Sequence, residues 1–128
     1  LAILVTPGES RGGECNVLMY TDELPFKQMH QWYQEGIALQ VSDHRQVPAN
    51  CWPPELKCRS RMHYYLADQQ ANRRQTGARA LILDQNENIA EVSTANIFIY
   101  EQHNGLVSPK DDQILSGISL SVVETLAE

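Results

Sequence analysis

The stretch PPELKCRSR, residues 53–61, sets an amine among cations in a chain whose formal net charge is -6. An arginine keeps its charge almost anywhere, so Arg59 and Arg61 can only make Lys57 easier to deprotonate. A deprotonated lysine is a nucleophile toward carbonyl carbon. Most lysines are solvated surface charges, and the chemical reading needs a rigid, partly desolvated position as well. An extended, Pro-rich run meeting a helix can supply one.

Two further groups have chemistry open to them. Glu91 interrupts the apolar alternation of IAEVS; it is either an outward carboxylate of a half-exposed strand or a buried one able to keep a pyridine nitrogen protonated. Gly117-Ile118-Ser119 opens an apolar helical stretch. Such a start is often only a cap, but its free backbone N–H groups and partial positive charge also suit a phosphate.

The elements that must position these groups follow from periodicity. LAILVT, ended by Pro7-Gly8, and NVLMYT read as neighbouring strands. PFKQMHQWYQEG has Phe26, Met29, Trp32 and Tyr33 at helical steps before Gly36, a short amphipathic helix with its aromatic face in the core. IALQVS resumes a strand, and the run from His44 to Pro54, with three prolines, is extended. From about Ser60 to Gln75 a helix is predicted, stopped at Gly77. Two hairpins follow, ARALILD with IAEVS and NIFIYE with LVSP, and then the helix from Gly117. Helices alternating with hairpins imply an α+β fold, a mixed β-sheet or partial barrel with packed helices.

Composition narrows the function. At 128 residues the chain can bury a core as one globular unit, 1–128. Its acidity argues against a nucleic-acid partner. No stretch is long enough to span a bilayer. Cys15, Cys51 and Cys58 have no metal or disulfide spacing and read as reduced cytoplasmic thiols; His30, His44, His63 and His103 are scattered, so no metal site is indicated. The absence of an initial Met and of a cap at Glu128 suggests a piece of a longer chain.

In order along the chain, LKCRSR, ADQQA, TGARALILD, AEVSTANIF and ILSGIS resemble the class IV (fold-type IV) aminotransferases, which include branched-chain and D-amino acid aminotransferases and aminodeoxychorismate lyase. The resemblance implies the central part of the family's large domain, without its small N-terminal domain and its C-terminal end. It implies pyridoxal 5'-phosphate joined covalently to Lys57, with Glu91 at the ring nitrogen and Gly117, Ile118 and Ser119 at the phosphate. Arg61 and Asn96 join them as cofactor-binding positions. It implies a homodimer that transfers an amino group between an amino acid and a 2-oxo acid. Arg61, four residues after the lysine, is shared with the lyases, so elimination of pyruvate is the nearest alternative, and a non-catalytic remnant the next. Ser60, Ser119, Leu120 and Pro7 depart from the family's usual Asn, Thr, Arg and Arg.

Overall fold

A computed structural model describes residues 1–9, 12–58 and 60–127. The expectations resting on Arg59 and Glu128 lie outside the described residues. Where one unit was expected, the chain divides into two compact ones, Leu1–Gly36 and Ile37–Glu128.

In the first unit, β1 (Ala2–Thr6) and β2 (Asn16–Tyr20) pair antiparallel, from Ala2 opposite Tyr20 to Thr6 opposite Asn16, and α1 (Phe26–Glu35) follows. The expectation that the aromatic face of α1 is core fails. No residue of α1 is buried, and Phe26 and Tyr33 are exposed. A two-stranded ribbon with one helix is too small to enclose an apolar interior.

The second unit carries the core. β3 (Leu39–Arg45), α2 (Met62–Arg74) and β4 (Arg79–Leu83) form a parallel crossover, with Leu39 opposite Arg79 and Val41 opposite Leu81. β5 (Ile89–Val92) returns antiparallel to β4, so the sheet runs β3-β4-β5. The Gln, Ala and Leu content of α2 favours helix. It ends before Gly77, whose φ of 81° only glycine adopts without strain. Rather than one continuous sheet, the second predicted hairpin, β6 (Ile99–Glu101) with β7 (Gly105–Val107), stands as its own ribbon. A single 3-10 turn, Asp111–Gln113, leads to α3 (Ile118–Ala127).

Ala67 and Ala71, one turn apart on α2, pack on Ala78, Ala80 and Ile82 of the β4 strand and its approach, all buried. Small side chains on both layers let the helix lie close to the sheet. Polar groups complete the contact. Gln70 Oε1 accepts from Ser42 Oγ at 3.1 Å and from Asp43 N at 2.8 Å, where the pairing of β3 is irregular. Arg74 donates to Val41 O at 2.6 Å and to Asp43 Oδ2 at 2.9 Å. Hydrogen bonds first from Arg74 and then from Gln70 hold the Asp43 carboxyl below the usual carboxylate range.

Candidate active site

The register of β4 and β5 decides where Glu91 points. Ile82 lies directly opposite Glu91, and directly opposed residues share a face of an antiparallel pair. Ile82 belongs to the core beneath α2. Glu91 therefore faces the layer of α2, and only 5% of it is exposed. This removes the outward-facing alternative. Ala90 and Val92, on the other face, are buried as well, so β5 is covered on both sides.

A buried carboxylate needs partners. Tyr64, in the first turn of α2, donates its hydroxyl to Glu91 Oε2 at 2.5 Å, and the Leu115 backbone N–H donates to Oε1. Gln46 Nε2 in turn donates to the Tyr64 hydroxyl oxygen at 3.1 Å. The Arg61 guanidinium lies 4.5 Å from the centre of the Tyr64 ring and donates to Ser93 O. Ser93 Oγ is buried and has no hydrogen-bond partner among the described residues.

Burial first, and then the hydrogen bond to Glu91, push the Tyr64 hydroxyl up to about 12. A tyrosine in an unfolded chain ionises near 10. The folded state thus holds this proton more tightly, and the stability it contributes is full below about pH 10 and is lost as pH rises through about 12. Alkaline titration followed by tyrosinate absorbance is expected to show one of the five tyrosines ionising near pH 12. Tyr64→Phe should remove that step; its persistence would refute the assignment.

Glu91 lines a cleft of about 180 Å³ together with Lys57, Arg61, Tyr64 and Ser93. An adjoining cleft of about 700 Å³ is lined by Lys57, Asn96, Gly117, Ile118 and Ser119. Lys57, Asn96 and Gly117 border both. The structure thus brings all seven sequence-identified positions to two adjoining clefts.

The setting of Lys57 differs from the expected one. It lies in a loop after a turn closed by Leu56 N to Pro53 O at 3.1 Å, and it is exposed rather than partly desolvated. Proline lacks the N–H a strand ladder requires, so the Pro53-Pro54 lead-in does not make a rigid strand. Arg61, expected beside the amine, is held by Tyr64 and Ser93 O.

The turn before α3 is built more tightly. Asn96 Nδ2 donates to Leu115 O at 2.8 Å, and a Cβ placed on Gly117 would collide with Asn96 Oδ1. A side chain there would have to push the Asn96 amide aside. Helix α3 then begins at Ile118, with Ser121 N bonding back to Gly117 O at 3.2 Å, so the amides of Ile118 and Ser119 have no helical acceptor. Leu120, in the first turn of α3, is buried.

The profile of the amino-transferase class IV family matches residues 1–128. The chain belongs to that family. Solved branched-chain aminotransferase structures resemble it in fold. A branched-chain amino acid aminotransferase from T.th., complexed with N-(5'-phosphopyridoxyl)-L-glutamate, is 27% identical at a TM-score of 0.65, covering 72% of this chain and 31% of its own. The same enzyme with 4-methylvaleric acid is 26% identical at 0.65, covering 71% and 30%. A branched-chain aminotransferase from Thermoproteus uzoniensis with norvaline is 24% identical at 0.67, covering 88% and 35%. The present chain therefore spans about a third of the length of these proteins. No curated protein matches it. No helix among the described residues is long and apolar enough to cross a membrane.

Sequence reasoning passed over Tyr64, Gln46 and Ser93, and weighed His63 only as a metal ligand. Tyr64 had a signal, since an aromatic three residues after Arg61 at a helix start can stack under the guanidinium. Gln46 had none, because only the fold brings the end of β3 to the start of α2.

Proposed function

We propose that the intact protein is a pyridoxal-phosphate-dependent aminotransferase that moves an amino group between an amino acid, branched-chain or of D configuration, and a 2-oxo acid. The observation that carries this reading is the pairing, in one cleft, of Lys57 with the buried Glu91, beside the amide-bearing turn of α3. Three features fit such a cofactor: the buried Ser93 hydroxyl at the cleft, with no hydrogen-bond partner among the described residues, the close approach of Asn96 Oδ1 to Gly117, and a donor and acceptor set of matching chemistry.

Lys57 would bind the cofactor's aldehyde covalently and, once displaced by substrate, carry a proton to and from the substrate carbon. Glu91, whose oxygens have lone pairs beyond those used by Tyr64 and Leu115, would accept the ring N–H. The Ile118 and Ser119 amides and the Ser119 hydroxyl would hold the phosphate, with Asn96 fixing the turn and Arg61 the opposite wall. Bound pyridoxal phosphate supplies an electron sink for charge developing on the substrate carbon. In this reading residues 1–128 are the central part of the large domain of a cytoplasmic homodimer.

The test is an assay of the intact protein with 2-oxoglutarate and either branched-chain or D-amino acids. Amino transfer with either set is expected. Pyruvate release from a chorismate-derived amine without amino transfer would favour the lyase instead, for which Arg61 is the supporting residue. A preparation that stays colourless with added cofactor would refute both.

A further inference from the structure

The hydrogen bonds around Gln46 fix one another's direction. Its backbone is anchored on both sides, by Gln46 N to Leu83 O at 2.9 Å and by Gln85 Nε2 to Gln46 O at 2.8 Å, and the residue is buried. The amide oxygen Oε1 lies 3.2 Å from Val47 N, and a backbone N–H can only donate. Turning the amide over would set two donors against each other. Oε1 therefore stays there, and Nε2 faces the Tyr64 hydroxyl as a donor. The hydroxyl accepts from Gln46, so its own hydrogen goes to Glu91 Oε2. His63 Nε2, 3.2 Å from the same Oε1, must carry hydrogen as well. Burial first, and then the charge of Arg61, hold the imidazole below its usual 6.5, so that near neutrality it has a single ring hydrogen.

We propose that Gln46 is a positioning residue of the site, whose amide, oriented by the Val47 N–H, holds Tyr64 as a donor to Glu91 and His63 in its Nε2–H tautomer. With the Tyr64 hydrogen committed to Oε2 and the Leu115 N–H to Oε1, the carboxylate keeps one orientation toward the cleft. Its link to the cofactor rests on the function proposed above; the tautomer does not.

Two measurements on the intact protein test it. In long-range proton-nitrogen spectra without cofactor, assigned by loss of the signal in His63→Gln, His63 is expected to show a protonated Nε2 and a bare Nδ1. In Gln46→Met, which keeps the side-chain length, the two tautomers should mix. An Nδ1–H tautomer in the parent protein overturns the proposal, as does a spectrum indifferent to Gln46→Met. Pyridoxal phosphate titrations then compare Gln46→Met, Tyr64→Phe and the double variant. Each single change should weaken binding about 10-fold, and the double no further than either alone, since both break the same hydrogen bond. Additive losses overturn the positioning role. Failure of the parent protein to bind the cofactor would count against the proposed function, while the tautomer result would still decide the geometry.

Discussion

Lys57→Ala in the intact protein is expected to abolish amino transfer, a fall of about 10⁴-fold or more, because the change removes both the covalent attachment and the proton carrier. Borohydride should no longer fix the cofactor to the chain. Lys57 is exposed and its side chain has no hydrogen bond or ion pair among the described residues, so unfolding free energy should stay within about 0.5 kcal/mol of the parent. Loss of turnover with unchanged stability separates chemistry from folding. Turnover retained by the alanine variant would remove Lys57 from the mechanism.

Glu91→Gln is expected to act on both. Of the groups facing residue 91, the Leu115 N–H and the Tyr64 hydroxyl both need an acceptor, and the far side of that hydroxyl is already occupied by the Gln46 Nε2 donor. Glutamine has one acceptor oxygen and one donor NH₂, so in either orientation a donor meets a donor. A buried donor left without a partner costs about 1–3 kcal/mol, readable in urea unfolding. Without the carboxylate at the ring nitrogen, turnover should fall on the order of 10²- to 10³-fold, the scale of removing one preorganised electrostatic contact. The Tyr64 hydroxyl should also ionise below about 12, since Glu91 contributes to raising it. A variant as stable and as active as the parent would refute both the buried pairing and the ring-nitrogen role.

The contrast between the two residues explains what could be read in advance. Elements set by local chemistry were legible: the β4–β5 hairpin, whose turn rests on Asp84 Oδ1 accepting from Asn86 N at 2.7 Å and Asn88 N at 2.9 Å, and α2 with its stop at Gly77. Glu91 was recognised but not its burial, because alternation assigns a residue to a face and says nothing of what covers it. The surroundings of Lys57 were inferred from sequence neighbours. In the fold, Arg61 turns to Tyr64 and Ser93 O instead, since a helix start redirects successive side chains by about 100°. The grouping of the strands into three small sheets depends on pairings between distant residues, to which period-two patterns are blind.

The alanine contact between α2 and β4 has a consequence at a distance. Ala67 is one turn along the helix from Tyr64, and neither it nor Ala71 has room to grow. The thickness of those methyl groups sets the standoff of the helix, and hence how far a phenol of fixed length extends toward its carboxylate. A bulkier residue at either alanine would act as a shim, widening the gap it never touches, so variants that impair this protein should include some with no atom near the cleft.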